Sequence, residues 1–594
     1  MIERLRDSAE WRFLGTFMRA ERKLAVVWWT LIAFGGSLPA LFAISMGALV
    51  GAVQRGDGLG PPLAAAGIVF VTMSSIAPLQ IAVGSVLGAR VGAWLKDRVM
   101  AACTEPAGVA HLEDPAVADD LAKARDFDTG LTAPPLQAAL GEVANGFTQI
   151  AGGLAQAALL MTYRWWAALA VAGAWASTHV LLHRSAVWKI FSADGVSTQM
   201  RHVDYAYRLA VDAPAAKEIR LFGLADWAVQ RVIAVRTKVA ELLYDERRLR
   251  VRPMRWSLIL VVGANALVFW SLARDATAGT IELDRLVVYA QAAIGTAALA
   301  FGDFDWWFRG SAQPIPWVLD LAGKMRPGAL SPGSREAEGR PRTEIRFEGV
   351  RFAYPTTGVE VLDGFDLAIP AGRSLAIVGP NGAGKTTIAK LVCRLYDPQH
   401  GSITVDGIDL RDLDLDAWRR RVAAVFQDFI RYELSLRENV AIAGAEDEAV
   451  LASLERAGAG DLAELDTILN RAYGGGTEVS GGQWQRIALA RALCAVKLGA
   501  GVVILDEPTA QLDVRGEAEI FDRILEATRG LTTILISHRF STVRHVDRVC
   551  VLEHGRIVEE GSHDELIAAS GRYRTMFDLQ ASRFWEDEDA LEHL

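Results

Sequence analysis

The sequence predicts a multidomain membrane protein: an all-α transmembrane domain of six helices over residues 1–325, a linker over 326–342, an α/β P-loop nucleotide-binding domain over 343–580, and an acidic tail over 581–594. Three observations predict it. Long runs almost free of charge fill the first half. The stretch "MRPGALSPGSREAEGRPRT" after Lys324 is rich in Pro, Gly, Ser and charge. Strand-like and helix-like runs then alternate around one phosphate-binding loop.

The uncharged runs occupy 24–53, 63–87, 136–163, 165–182, 256–273 and 286–301, each near the roughly 20 residues that cross a bilayer as a helix. Short breaks ("QRGDGLGPP", Arg164, "RDATAGTIELDR") alternate with two long charged stretches that hold Arg90, Lys96, Arg98, Arg184, Lys189 and Arg201. Basic residues also crowd the N-terminus, so the positive-inside rule places both termini and the long stretches in the cytoplasm of a multi-pass cell-membrane protein. The opening "MIERLRDSAEWRFLGTFMRAERK" is charged throughout and lacks a cleavage site, as expected of an amphipathic helix on a membrane surface rather than a signal peptide.

Composition agrees with a membrane part and excludes other classes. Hydrophobic residues are 51% of the 594, and mean hydropathy is +0.20, high for a soluble chain. The net charge of −9 gives no electrostatic reason to hold nucleic acid, which is therefore not an expected partner. Cys103, Cys393, Cys494 and Cys550 are scattered without CxxC pairing, so they read as packing residues rather than zinc ligands or disulfides.

In the second half, "GPNGAGKTT" follows an apolar strand and opens a helix. That context makes Gly379, Pro380, Asn381, Gly382, Ala383, Gly384, Lys385, Thr386 and Thr387 a phosphate loop. Its backbone N–H groups curl around phosphates, Lys385 reaches the terminal ones, and the Thr386 hydroxyl binds Mg²⁺. "VVILDEPTA" supplies Asp506 as a second Mg²⁺ ligand and Glu507 as general base for the attacking water. His538, in "ILISHRF", follows another apolar strand, where a phosphate contact competes with a packed core histidine. Gln427, in "VAAVFQD", offers an amide to Mg²⁺ and the water. Tyr354, in "VRFAYP", offers a ring on which adenine stacks, or is an ordinary strand tyrosine. A second anion-binding shape, Ser480, Gly481 and Gly482 followed by Gln483, opens the helix of "TEVSGGQWQRIALARAL".

Taken together, Tyr354, "GPNGAGKTT", Gln427, "VSGGQ", "VILDEP", "AQLD" and His538 resemble the ATP-binding cassette family and stand in its order. Six membrane segments before one cassette look like a half-size bacterial exporter of the multidrug, lipid and peptide type. The resemblance implies ATP and Mg²⁺ as cofactors, Thr386, Gln427 and Asp506 around the metal, Glu507 as base and His538 as the switch histidine. It also implies that Asp513 lies in the loop crossing to a partner subunit, and that the Ser480 turn meets the γ-phosphate held by that partner. One chain carries one cassette and none of these positions is degenerate, so a homodimer is expected, with a heterodimer as the alternative. Two departures stand out: Val479 replaces the usual leucine, and "RAYGGGTEVSGGQWQR" replaces an acidic-glycine stretch. The second is similar to a subgroup associated with modified-peptide and antibiotic export.

The resemblance also reads "GVAHLEDPAVADDL" and "DAPAAKEIRLFGLADW" as coupling helices that dock on cassettes, with 427–439 as the receiving surface. On the third membrane segment Glu142, Asn145, Gln149 and Gln156 share one helical face, for lining a cavity or bonding between helices. Asp303, Phe304, Asp305, Trp306 and Trp307 read as an interfacial belt or, less simply, as a site for cationic cargo. No Cys/His nucleophile pair precedes the first segment, so leader-peptide cleavage is not expected. The expected activity is ATP-driven export of an amphipathic peptide, drug or lipid by alternating access. An importer on the same fold is the near rival. A soluble cassette ATPase acting on DNA or ribosomes and a regulatory membrane ATPase are more distant ones.

Overall fold

The computed structural model describes residues 8–125, 127, 134–184, 194–248, 251–300, 304–325, 330–508 and 514–580. It divides into two units: Met1–Cys103 with Asp119–Lys324, and Thr104–Ala118 with Met325–Leu594.

The first unit is helical among its described residues. Arg22–Arg55 ends on Gly56, whose φ of 71° makes the left-handed cap that glycine favours. Gly60–Thr104 has 45 residues, about 68 Å at the helical rise, so it extends well past a hydrocarbon core of about 30 Å. These two and Arg255–Thr277 are long and apolar enough to cross a membrane among the described residues. The third and fourth runs form Leu136–Met161 and Trp165–Arg184. The sixth differs from expectation. Its α-helix, Leu283–Gly295, has 13 residues and gives way to a 3₁₀ turn at Thr296–Ala300, so the α-helical part is only about 20 Å long.

Small residues let these helices approach closely. A Cβ on Gly88 would stand 2.2 Å from the Leu136 carbonyl oxygen, and one on Gly36 would stand 2.4 Å from the Ala151 Cβ. Ala9–Ala20, capped by Ser8, is amphipathic as expected, yet Phe13 and Phe17 are fully buried in protein. Arg12 pairs with Asp320 and Glu10 with Arg309, both at 2.6 Å. Trp11 and Met18 stay exposed.

The polar face of Leu136–Met161 divides in two. Asn145 and Gln149 are exposed and bonded to each other at 3.3 Å, whereas Gln156 is buried with Oε1 unpartnered. Phe304 does not form a belt: it stacks on Phe308 at 5.1 Å and meets Phe147 edge-on at 4.9 Å. Asp303 and the side chain of Asp305 lie outside the described residues, as do Asp513 and the tail 581–594.

The second unit holds two sheets. β1 (Glu344–Ala353), β2 (Glu360–Pro370), β4 (His400–Val405) and β5 (Ile408–Asp409) pair antiparallel in the order β2-β1-β4-β5. β3 (Ser374–Val378), β6 (Val422–Val425), β7 (Val502–Asp506), β8 (Thr532–Ile536), β9 (Arg548–Glu553) and β10 (Arg556–Gly561) follow the order β10-β9-β3-β8-β7-β6. All pairs in this sheet are parallel except β9 with β10. β7 and β8 are buried along their whole length, as uninterrupted apolar runs in a covered parallel sheet must be. Gly481–Lys497 turns Ile487, Ala488, Leu489 and Ala490 into one core layer, and Lys385–Val392 packs in the other.

Candidate active site

The predicted residues gather where four neighbouring parallel strands end. In the sheet order β3-β8-β7-β6, the phosphate loop follows β3, His538 follows β8, Asp506 ends β7 with Glu507 directly after it, and Gln427 follows β6. The carboxyl edge of such a sheet is where α/β folds place ligands, because short loops there project side chains over one crevice.

The loop is shaped by glycine. Gly379 has φ 153°, and a Cβ there would stand 2.1 Å from the Leu552 carbonyl oxygen, so no other residue fits. Gly384, at φ 106°, caps the helix Lys385–Val392 and leaves its first N–H groups open to an anion. Lys385 is buried, and its Nζ donates to the carbonyls of Gly379 and Pro380 at 2.9 Å each. Burial lowers its pKa, opposed by Glu507 and Asp506.

Thr386 Oγ1 donates to Asp506 Oδ2 at 2.7 Å. Asp506 is 2% exposed, and burial raises its pKa, opposed by the Thr386 bond and helped by the neighbouring Glu507 charge. A buried carboxylate bonded to a hydroxyl, in one cavity with the Gln427 amide, is a hard oxygen donor set that suits Mg²⁺. Glu507 sits at φ 51°, an uncommon backbone state for a non-glycine residue. Its N–H donates to the Ile536 carbonyl at 2.9 Å, and its own carbonyl accepts from Gln485 Nε2 at 3.2 Å. Its carboxylate oxygen Oε1 lies 3.1 Å from His538 Nε2.

These groups enclose a cavity of about 390 Å³ lined by Tyr354, Val361, Asn381, Gly382, Gly384, Lys385, Thr386, Thr387, Gln427, Asp506, Glu507 and His538. Gly379, Pro380 and Ala383 belong to the loop but do not line it. Ser480, Gly481, Gly482 and Gln483 are absent from the lining as well. Instead Ser480 Oγ accepts from Gln483 N at 3.3 Å while Gln483 Oε1 accepts from Ser480 N at 2.7 Å, a reciprocal helix cap.

Sequence reasoning missed Gln485. It occupies the stripe that continues through Ala488, Leu489 and Ala492, all buried. A polar side chain in a buried stripe demands a partner, and that was the available signal.

The family profile described as "ABC transporter" matches residues 362–510. The second unit carries an ABC transporter domain. Similar proteins include a "Multidrug efflux ATP-binding/permease protein" of Mycobacterium bovis, 36% identical over 57% of this chain and 28% of that protein. An "ATP-dependent lipid A-core flippase" of Desulfotalea psychrophila is 38% identical over 46% of each chain. "P-glycoprotein 14" of Caenorhabditis elegans is 38% identical over 48% of this chain and 21% of that protein. The chain thus spans less than half the length of these relatives. The ABC transporter domain binds ATP, and the cavity is lined by phosphate-loop residues that fall within the matched region.

Proposed function

We propose that the chain is one subunit of an ATP-driven exporter of an amphipathic cargo (a peptide natural product, a drug or a lipid) that works as a dimer in the cell membrane. The observation that carries it is the single cavity that unites Lys385, Thr386, Gln427, Asp506, Glu507 and His538, alongside helices long and apolar enough to span a bilayer. The names of the multidrug-efflux and lipid-flippase relatives support export.

In this reading the loop 379–387 binds the phosphates, and Lys385 releases its two carbonyl partners to reach them. Bound Mg²⁺ neutralises phosphate charge, and Thr386, Asp506 and Gln427 would hold it. Glu507 takes the proton of the attacking water, and His538 orients the carboxylate and contacts the γ-phosphate. The Ser480 turn, unused by its own cavity, closes over the γ-phosphate of the second copy, so two chains complete each site. Asp513 contributes to that junction, a homodimer is favoured, and both termini face the cytoplasm. ATP closure switches the membrane helices outward and hydrolysis resets them. The near rival is import on the same fold. In inside-out vesicles with ATP added outside, an exporter accumulates a labelled amphipathic peptide or drug within; ATP-driven loss of preloaded cargo would establish import instead.

A further inference from the structure

Thr104–Ala118 belongs to the second unit although its chain neighbours on both sides belong to the first. It sits beside the ring assigned to the nucleotide base. Val109 N donates to the Leu395 carbonyl at 3.3 Å, Arg419 Nη2 donates to the Ala107 carbonyl at 2.6 Å, and Val109 and Ala110 pack on the core that includes Phe352 and Tyr396. Glu113 divides its carboxylate between two partners. Oε2 accepts from the Tyr396 hydroxyl, and Oε1 lies 3.7 Å from Lys390 Nζ.

Both partners hold Tyr354. Lys390 rises from the phosphate-loop helix with Nζ 5.2 Å from the centre of the Tyr354 ring and 5.8 Å from that of Tyr396, within reach of cation–π attraction. Tyr396 meets the Tyr354 ring edge-on at 5.5 Å, and the Tyr354 hydroxyl is bonded to Thr387 Oγ1 at 3.0 Å. Tyr354 lines the cavity, whereas Lys390 and Tyr396 do not, so they brace the ring from the protein side.

We propose that Glu113 is a positioning residue for the nucleotide base: through Lys390 and Tyr396 it fixes the ring of Tyr354, so that base binding and the seating of Thr104–Ala118 stabilise each other. The inference rests on the reading of Tyr354 as the base-stacking residue. Any such coupling is reciprocal, so the segment that returns to the membrane helices feels the base as strongly as the base feels it. This path starts at the base and the phosphate-loop helix, apart from Gln427 and the γ-phosphate.

The test measures binding of a non-hydrolysable ATP analogue and of inorganic tripolyphosphate, which has no base, to the full chain in nanodiscs. Glu113→Ala is expected to weaken the analogue about three- to tenfold and to leave tripolyphosphate unchanged. Glu113→Gln keeps an acceptor for Tyr396 and should fall between. In a Tyr354→Ala background, Glu113→Ala should add nothing. Equal loss for both ligands, or no loss for either, overturns the role of Glu113. The base-site reading is judged separately: if Tyr354→Ala itself weakens both ligands alike, Tyr354 is not the stacking residue.

Discussion

His538 Nε2 lies 3.1 Å from Glu507 Oε1, and the two residues follow neighbouring parallel strands, β8 and β7. The pair is therefore fixed by the sheet rather than by a loop. Burial lowers the pKa of His538, Lys385 lowers it further, and Glu507 opposes both. A neutral ring protonated at Nε2 would donate to the carboxylate at that distance.

That shift has a definite sign. The folded pKa of His538 is below the unfolded value, so between the two the unfolded chain binds more protons and stability rises with pH. Below the ordinary histidine value of about 6.5 this group therefore destabilises the fold, and above it the contribution vanishes. Thermal unfolding of the chain in nanodiscs should show Tm falling between pH 7 and pH 5, with a shallower fall in His538→Gln. Identical slopes would remove His538 as a source of acid sensitivity.

The Ser480 turn separates binding from turnover. Ser480→Arg should leave ATP binding to the monomer largely intact and abolish hydrolysis, because its own cavity does not include Ser480. Equilibrium ATP binding and phosphate release measured on the same sample check this. A variant that hydrolyses normally removes the turn from the composite site.

Asp406 anchors the entry to β1. It sits at φ 52° and accepts from the backbone N–H groups of Arg342, Thr343 and Glu344 at 3.0, 2.7 and 3.3 Å. Burial pushes its pKa up, but those bonds and Arg340 outweigh it and leave the net value lowered. Its contribution is present above the ordinary carboxylate pKa and is lost as pH falls through the lower folded value. Asp406→Ala should destabilise the unit by about 2–4 kcal/mol, read as a lower Tm near pH 7 and a smaller gap to wild type in acid.

The strand ends were legible because each motif closes an apolar run: Val378 before the loop, Asp506 after "VVIL", Ser537 before His538. The antiparallel sheet was not, because β1 carries register irregularities around Val350 and Phe352 and β5 has two residues, which blurs alternation. Hydropathy does not register the change from α to 3₁₀ after Gly295, since Thr296–Ala300 remains small and apolar. The opening stretch read as a helix on a membrane surface, and only tertiary packing shows that protein covers its Phe13 and Phe17. The amphipathic segment around Glu113 was legible as a docking helix, but its seat was not. The partners it shows include Lys390, Leu395, Tyr396 and Arg419.

In the proposed function, Glu507 activates water for ATP hydrolysis by a dimeric membrane transporter. Mg²⁺-dependent phosphate release by the purified chain in nanodiscs, wild type against Glu507→Gln, tests it most directly. Glu507→Gln should lose turnover roughly 10² to 10⁴ fold with ATP still bound and the dimer closed. Near-normal turnover in Glu507→Gln would contradict it.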